Sequence, residues 1–303
     1  MANPKFVFLN DALVPWDEAK VHVSTVAFKF GTAVFEGIRG YWNEAEERLY
    51  AFQLHEHMQR LAFSQRAMRF DGALDVDWIG EKTLELLRAN EFREGVHIMT
   101  TVFVNGFGDP LTCGPVGLAI TAAPRKHGNR LETGVTAQVS SWMRSPDTAT
   151  PMRIKCNANY QNGRLAGLQA KADGYDTAIL LNSRGKVAEG PAMCFCLIRD
   201  GRLITPSTNS DILESITRRT VLQLAREYLG LETVERDVDR SELYAAEEAF
   251  FCGTAWEVTP VTAIDRLPLG DGTPGPLTRK LQDTLLSIAH GTVPDHAEWR
   301  TAV

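Results

Sequence analysis

Apolar and polar residues follow two different periods along this 303-residue chain. Apolar side chains recur at helical spacing over 55–70, 158–174 and 215–230, which predicts amphipathic helices. Elsewhere, short apolar runs bounded by Gly, Pro, Asn or Asp predict β-strands. The pattern therefore predicts an α+β fold in which strands dominate the second half.

The first third of the chain combines strands and helices. Residues 6–16 predict a β-hairpin with its turn at Asn10-Asp11. A helix is predicted over 75–90, and either Asp75 or Asp77 is able to cap its first turn. The other elements predicted here are the helix over 55–70 and the strands over 96–106 and 114–123.

The second half is predicted to contain a run of three antiparallel strands. They cover 176–182, 186–198 and 202–206, and turns at 182–186 and 199–202 connect them. The remaining predicted elements are a strand over 135–144, helices over 158–174, 215–230 and 277–291, and strands joined by a turn over 246–260.

A polar, basic stretch separates the two halves. It begins with proline and ends with glycine, a composition typical of a linker. We interpret 125–134 as an interdomain loop, 1–124 as a small N-terminal domain, and 135–303 as a larger C-terminal domain.

Composition limits the possible classes of protein. The net charge of −6 and the lack of a basic tract argue against nucleic acid as a partner. No apolar run is long enough to predict a membrane span, and the first residues do not match a signal peptide. The five cysteines contain no CxxC pair, so we expect free thiols in a cytoplasmic protein. Cys194 and Cys196 are predicted as buried strand residues, and no metal site is expected.

Four polar features interrupt regions where an apolar core is expected. Lys155 ends an apolar approach, and Glu189 precedes one of the most apolar runs in the chain. Ser215–Thr217 begin a predicted helix, where open backbone N–H groups favour an anion, and Gly253–Ala255 form a turn after a strand. Each has an ordinary structural explanation, as a snorkelling lysine, a helix cap or a turn residue. Together they indicate a ligand with an aldehyde, a phosphate and a ring cation.

These features belong to a pattern that extends almost from end to end of the chain, and on it the chain resembles the class IV (fold-type IV) aminotransferases, above all the branched-chain amino-acid aminotransferases. The resemblance implies a fold-type IV structure, with pyridoxal 5'-phosphate bound between the two domains. The motifs that carry it are "KVHVSTVAFKFGTAVFEGIRGY" (20–41), "HEHMQRL" (55–61), "SSWMR" (140–144), "K…NY" (155–160), "VAEG" (187–190), "LITP" (203–206), "SITRR" (215–219) and "GTAWEVTPV" (253–261).

The resemblance assigns the central chemistry to Lys155. Its amine would form a Schiff base with the cofactor aldehyde and then move a proton to and from the substrate's α-carbon. Glu189 would pair with the pyridine nitrogen, and Tyr160 would hydrogen-bond the phenolic oxygen of the cofactor.

The phosphate residues are implied in the same way. Arg60 would pair with the phosphate through its planar guanidinium group. The backbone N–H groups of Ile216 and Thr217, with the side chains of Thr217 and Thr254, would complete the phosphate site.

The substrate pocket departs from the family pattern. The branched-chain enzymes usually carry Tyr-x-Arg where this chain has His97 and Met99, and often a tyrosine at the position of Phe30. Met193 and Cys194 replace a glutamate and an asparagine of the family. Because a thioether cannot pair with a carboxylate, we expect weak use of glutamate and a preference for apolar donors. The implied substrate residues are Phe30, Phe35, Arg39, His97, Met99, Trp142, Thr254 and Ala255.

Five residues are candidates to replace the missing carboxylate-binding arginine. Arg39 is retained from the family pattern, and Arg125, Lys126 and Arg130 lie in the interdomain loop. His97 is the fifth candidate, and its alternative is a hydrogen-bonded core histidine. The sequence leaves the choice open.

The glycine-containing loop over 104–114 has a counterpart in the family that reaches the neighbouring active site. The resemblance therefore implies a homodimer; the alternative is an ordinary surface loop.

Other activities on the same scaffold remain open. An (R)-amine or D-amino-acid transaminase and an aminodeoxychorismate lyase would share the cofactor residues, and a non-catalytic protein that binds pyridoxal phosphate is a further possibility. The natural donor and acceptor and the preferred enantiomer are not determined by the sequence.

Overall fold

The computed structural model describes residues 3–303, which form two compact units. Unit 1 contains the chain up to Lys126 together with Ile154–Ala158 and Ser287–Val303. Unit 2 contains His127–Arg153 and Asn159–Leu286. The change of unit after Lys126 lies in the predicted loop, but Ile154–Ala158 and Ser287–Val303 differ from the predicted boundaries because strand pairing ties them to unit 1.

The described residues form seven α-helices, fifteen strands and four short 3-10 helices. The helices are α1 (Val26–Phe30), α2 (Leu54–Ala67), α3 (Val76–Asn90), α4 (Arg130–Thr133), α5 (Tyr160–Ala172), α6 (Ile216–Leu229) and α7 (Pro276–His290). The strands are β1 (Phe6–Leu9), β2 (Ala12–Pro15), β3 (Ala33–Asn43), β4 (Arg48–Phe52), β5 (Val96–Val104), β6 (Val116–Pro124), β7 (Val135–Met143), β8 (Thr177–Leu181), β9 (Cys194–Arg199), β10 (Arg202–Thr205), β11 (Glu232–Glu235), β12 (Glu248–Gly253), β13 (Glu257–Ile264), β14 (Leu267–Pro268) and β15 (Arg300–Ala302).

Unit 1 is built on a seven-stranded sheet in the order β15-β4-β3-β5-β6-β1-β2. The predicted hairpin is confirmed, since β1 pairs with β2 across Asn10-Asp11. Helices α2 and α3 pack on the sheet, and the core they enclose includes Ile38, Leu61 and Leu86. Asp75, rather than Asp77, caps α3 by accepting hydrogen bonds from the amides of residues 77 and 78.

Unit 2 contains an eight-stranded sheet in the order β11-β10-β9-β12-β13-β7-β8, with β14 paired to β13. The predicted antiparallel hairpin of β9 and β10 is confirmed. The predicted antiparallel pairing of β8 with the next strand is confirmed only at a single bridge between Leu181 and Val187; the continuous partner of β8 is β7, with which it pairs in parallel at the edge of the sheet. Residues 182–193 contain turns, loops and isolated β-bridges at Lys186 and Val187 rather than one continuous strand, and this segment contains Glu189.

Helix α6 begins and ends where its sequence predicts. The Ser215 side chain accepts a hydrogen bond from the Arg218 amide, and Gly230 closes the helix in the left-handed conformation. Its buried face includes Val221 and Leu224. The helix start therefore has a defined position against the sheet of unit 2.

All five cysteines are free thiols, and Cys194 and Cys196 are buried as predicted. Cys156 packs in the core of unit 1. Among residues 3–303, no helix is long and apolar enough to cross a membrane. The same residues contain no cluster of His, Cys, Asp and Glu suited to a metal ion.

Candidate active site

Lys155 is held by its backbone in unit 1. Its amide N–H donates to the Ser64 hydroxyl at 3.3 Å, and its carbonyl accepts from the Phe35 amide at 3.0 Å. The neighbouring Cys156 forms a β-bridge with Val34. The ammonium nitrogen lies 4.7 Å from the centroid of the Phe35 ring. Contacts with α2 and β3 therefore fix this lysine from two sides.

One face of the β3–β5 pair collects four of the predicted substrate residues. Phe35 lies opposite Thr101, Gly37 opposite Met99, and Arg39 opposite His97. Directly opposed residues of an antiparallel pair project from the same side, and so do alternate residues of a strand. Phe35, Arg39, His97 and Met99 consequently share one face with the Lys155 ammonium group near Phe35.

The imidazole of His97 lies over Gly37. A Cβ atom added to Gly37 would come within 3.3 Å of His97 Nε2, so glycine makes room for the ring. Neither ring nitrogen hydrogen-bonds to another residue of 3–303, and the side chain is half-buried. His97 is therefore not the hydrogen-bonded core histidine that was the alternative.

The surroundings of His97 keep its ring neutral. Burial lowers the pKa to about 4, and the positive charges of Arg125 and Arg39, with smaller contributions from Lys155 and His57, act in the same direction. At neutral pH the imidazole has one N–H donor and one acceptor nitrogen.

Arg39 is braced within the same unit. Its guanidinium Nη1 donates to the carbonyl of Arg125 at 2.9 Å, and the group lies 5.3 Å from the Tyr41 ring centroid. The Arg125 amide in turn donates to the Gly95 carbonyl. The side chain is buried, so Arg39 places a fixed positive charge beside His97.

A buried carboxylate network, which sequence reasoning missed, surrounds Arg60. Glu36 accepts hydrogen bonds from Nε and Nη2 of Arg60 and is bonded to Nδ1 of His57, all at 2.7 Å. Burial alone would raise the pKa of Glu36, but the charge and hydrogen bonds of Arg60, with those of His57, hold it at about 2. The sequence signals are a glutamate inside an apolar strand and a His-x-x-Arg spacing that places both side chains on one helix face.

Glu189 lies in unit 2 and is almost completely buried. Its carbonyl accepts from the Leu180 amide, and its Oε1 accepts from Arg144 Nη2 at 2.6 Å and from the Leu213 amide at 3.3 Å. Arg144, the last residue of "SSWMR", is also buried and was not assigned a role from sequence. The buried Arg144 thus fixes the orientation of one carboxylate oxygen of Glu189.

The second carboxylate oxygen of Glu189 has a much weaker contact. The thiol of Cys194 lies 3.7 Å from Oε2 and equally far from the Leu213 carbonyl. Burial and, secondarily, the charge of Glu189 raise the pKa of this thiol far above its ordinary value, so it remains protonated. Oε2 is therefore suited to accept a stronger hydrogen bond.

The start of α6 and the turn after β12 lie near Glu189 in unit 2. Leu213, which contacts Glu189, precedes Ile216 by three residues, and β12 pairs with β9 so that Cys252 opposes Cys194. The backbone N–H groups of Ile216 and Thr217 donate to no acceptor within the described part of the chain. Thr254 and Ala255 occupy the turn, where the Ala255 carbonyl accepts from Arg130 Nη2 at 2.7 Å.

The remaining predicted residues lie on other parts of the two units. Phe30 ends α1 and lies under Lys29, and Trp142 is exposed near the end of β7. Tyr160 begins α5, while Lys126 is exposed at the end of the first chain segment of unit 1.

The donors and acceptors present fit pyridoxal phosphate. Open backbone N–H groups at the start of α6 suit a phosphate, and the weakly contacted Oε2 of Glu189 suits a ring N–H. A primary amine anchored by its backbone, that of Lys155, suits capture of an aldehyde.

Comparisons with known proteins agree with this chemistry. The family model of amino-transferase class IV matches residues 33–264. A probable branched-chain-amino-acid aminotransferase of Aquifex aeolicus is 41% identical over 300 residues, with 98% of this chain and 96% of the relative covered.

Solved structures extend the similarity to the fold. The crystal structure of a branched-chain amino acid aminotransferase from Thermobaculum terrenum in its PLP form has a TM-score of 0.94 and 44% identity, covering 100% of this chain and 99% of that one. A branched-chain amino acid aminotransferase from T.th., complexed with N-(5'-phosphopyridoxyl)-L-glutamate, has a TM-score of 0.92 and 34% identity, with 99% of both chains covered. The chain therefore belongs to the class IV aminotransferases and is a pyridoxal-phosphate-dependent aminotransferase of fold type IV, similar to the branched-chain enzymes.

Proposed function

We propose that this enzyme transfers the amino group of an amino acid or amine with an apolar side chain to a 2-oxo acid, and that it uses glutamate weakly. The observation that carries the proposal is the β3–β5 face, where Phe35 and Met99 lie on the same side as the Lys155 ammonium group. Apolar side chains on this face favour apolar substrates because they release ordered water on contact. Phe35 and Met99 themselves carry no charge that could pair with a second carboxylate, and Arg39 on the same face is already bonded to the Arg125 carbonyl.

Two residues would carry the chemistry. Bound pyridoxal phosphate supplies an aldehyde that captures amino groups and a ring that accepts electron density. Lys155 Nζ would take a proton from the substrate's α-carbon and return it. Glu189 Oε2 would hold the ring-nitrogen proton, with Oε1 occupied by Arg144.

The other cofactor residues would orient the group. Arg60 would contact the phosphate while Glu36 holds its Nε and Nη2. The N–H groups of Ile216 and Thr217, with the Thr254 hydroxyl, would bind phosphate oxygens. Tyr160 would hydrogen-bond the phenolic oxygen.

Weak glutamate use is supported by a contrast with a relative. The T.th. enzyme was crystallised with a phosphopyridoxyl-L-glutamate adduct. Where the family usually has an arginine, this chain has Met99, whose thioether is only a weak hydrogen-bond acceptor and carries no charge. Burying a carboxylate against it without a cation is unfavourable.

We further propose that the enzyme works as a homodimer whose loop 104–114 reaches the neighbouring active site. Phe107 and Leu111 are strongly exposed on this loop, an arrangement that favours a partner surface. His22 packs edge-on against Phe107, and Lys29 donates to the Gly108 carbonyl, so contacts with the preceding segment support the loop.

A single-turnover screen tests the function. The cofactor-loaded protein is mixed separately with L-leucine, L-glutamate, D-alanine and (R)-1-phenylethylamine, and the absorbance of the lysine-bound cofactor is followed. L-Leucine should remove this absorbance much faster than L-glutamate. Faster reaction with glutamate contradicts the proposed specificity, and reaction with only D-alanine or (R)-1-phenylethylamine reassigns the enzyme to those substrates.

Borohydride reduction followed by peptide mapping tests the lysine. The label should appear on Lys155, disappear in Lys155→Ala, and persist in Lys171→Ala, a matched change of an exposed lysine on α5. A label on another lysine would overturn the assignment.

A further inference from the structure

The imidazole of His97 has no hydrogen-bond partner among residues 3–303, although it lies on the face that carries Phe35 and Met99. Gly37 makes space for the ring and holds it close to the strand, at 3.3 Å from the position of an added Cβ. A half-buried ring in a fixed position, with two unused nitrogens, is suited to a polar group that arrives with a ligand.

Three cations, those of Arg39, Arg125 and Lys155, lie around this ring, and the His57 imidazole, whose own pKa is lowered by burial, makes a smaller contribution. Arg39 lies directly opposite on β3, and Arg125 follows β6. Lys155 comes from the segment 154–158, and His57 comes from α2. Together with burial they oppose protonation of the imidazole, while their combined charge attracts an anion.

Resting on the proposed function, we propose that His97 hydrogen-bonds a carboxylate of the bound substrate and takes up one proton from solvent as that carboxylate binds. The arriving negative charge offsets Arg39 and Arg125, which removes the main charge opposing the imidazolium form. The protonated ring then donates a charge-assisted hydrogen bond to the carboxylate, stronger than the neutral ring can give. The proton comes from a buffer acid, which becomes its conjugate base as the ring nitrogen is protonated.

This coupling has a defined sign. Without ligand the ring is neutral above its pKa of about 4, and a bound carboxylate raises that pKa. Carboxylates must therefore bind more weakly as the pH rises, because less protonated imidazole is available. For each unit by which carboxylate binding raises the pKa of His97, the protonated form binds the carboxylate about tenfold more tightly than the neutral form does.

A carboxylate-binding arginine would behave differently, since it stays charged throughout this range. Protonation of His97 thus makes the carboxylate affinity of the enzyme depend on pH, whereas a permanently charged arginine at this position would not. It specifies His97 as a substrate-contacting residue, and Arg39 and Arg125 as the charges that keep it neutral until substrate arrives.

Calorimetry with the holoenzyme measures the proton directly. Two non-reactive probes are used, 4-methylvalerate with one carboxylate and glutarate with two, each in buffers of different ionisation enthalpy. Wild type should take up protons on binding, and His97→Gln, which keeps a hydrogen-bond donor but cannot be protonated, should take up fewer. His55→Gln, a change of an exposed histidine on α2, should match wild type.

The two probes identify which carboxylate is involved. Uptake with both probes assigns His97 to the carboxylate that all substrates share, and uptake with glutarate alone assigns it to the distal carboxylate. Equal uptake by wild type and His97→Gln overturns the proposal. Any proton taken up at the lysine-bound cofactor is common to both proteins and cancels in this difference.

A second readout does not require the variant to fold. In wild-type protein with labelled histidine, the ring resonances of His97 should move toward the imidazolium values when 4-methylvalerate or glutarate is added. Unmoved resonances at saturating levels of both probes also overturn the proposal. Failure of the proposed function is recognised separately, by faster reaction with L-glutamate than with L-leucine in the single-turnover screen.

Discussion

Arg144 donates a hydrogen bond of 2.6 Å to Oε1 of Glu189, and both side chains are buried in unit 2. The contact uses one nitrogen of the guanidinium group; a second, Nη1, is 3.5 Å from the Asn162 side chain. Because the pair fixes one carboxylate oxygen, it decides which oxygen of Glu189 is available to a ligand.

Replacing Arg144 with methionine should destabilise the protein strongly. The change leaves a buried carboxylate without its charged partner, which costs about 3–5 kcal/mol of the free energy of unfolding. Urea denaturation of the cofactor-free protein measures the loss. Arg144→Lys, which keeps the charge, should lose less than half as much.

Arg164→Met provides the matched control for this pair. Arg164 is exposed on α5 and has no described ion pair, so its replacement should leave the unfolding free energy nearly unchanged. Equal losses for the two methionine variants would contradict the importance of the buried pair.

Glu36 should make the protein acid-sensitive in a low pH range. The pKa of Glu36 is about 2 in the folded protein, compared with an ordinary value of 4.5. Its contribution to the free energy of unfolding is therefore complete above pH 4.5 and is lost as the pH falls toward 2. The difference corresponds to roughly 3 kcal/mol of unfolding free energy. Urea denaturation across this range should show a shallower pH dependence for Glu36→Gln than for wild type. An unchanged slope would contradict the low pKa.

His97 should contribute acid sensitivity in a separate, higher pH range. The folded protein keeps the ring neutral down to about pH 4, whereas the unfolded chain protonates it near 6.5. The unfolded state therefore binds more protons between these values, and stability falls as the pH decreases from 6.5 to 4. Thermal denaturation of His97→Gln should be less pH-dependent in this interval, and identical behaviour of His55→Gln and His97→Gln would refute the prediction.

Replacing Met99 with arginine should increase the use of glutamate. Met99 is partly exposed, so a longer side chain at this position can extend toward solvent instead of into the packed core. A charged hydrogen bond to the distal carboxylate is worth about 1.5–3 kcal/mol, or about 10-fold or more in kcat/KM for L-glutamate relative to L-leucine. Steady-state kinetics with both donors measures the ratio. Met99→Gln is the uncharged control, and an equal gain in that variant would show that charge is not responsible.

Aspartate at Phe107 and Leu111 should dissociate the proposed dimer. Both side chains are exposed on the loop 104–114, and burying a carboxylate at an apolar interface is unfavourable. Sedimentation analysis should show monomer for the double variant, with reduced activity because each site loses the neighbouring loop. Leu267→Asp changes an exposed leucine elsewhere and should remain dimeric. A dimeric loop variant would exclude this loop from the interface.

Local elements were predictable because their signals are local. The hairpin turn at Asn10-Asp11 and the cap at Ser215 each depend on a few neighbouring residues, and both are confirmed. The pairing of β8 was not predictable in the same way. Its parallel partner β7 lies earlier in the chain, with helix α5 between the two strands. Spacing along the chain favoured β9 as the partner, because β9 is the next strand after β8.

The site shows the same limit. Glu189 was recognisable as a charged residue next to an apolar run. Its partner Arg144 lies 45 residues away in the sequence, so the pairing could not be inferred from spacing. Glu36 and Arg60, separated by 24 residues, belong to a strand and a helix that meet only after folding. His97 was a candidate from sequence, whereas its opposition to Arg39 follows from the β3–β5 register.

The sequence by itself determined the family, the cofactor and most of the helices and strands, because motifs, helix caps and hydrophobic periodicity each depend on residues that are close together in the sequence. The tertiary structure alone decided which oxygen of Glu189 is held, which carboxylate holds Arg60, and which cations face His97. The physical reason is that burial and charge–charge interaction depend on distance in space, and strand register and helix packing set that distance.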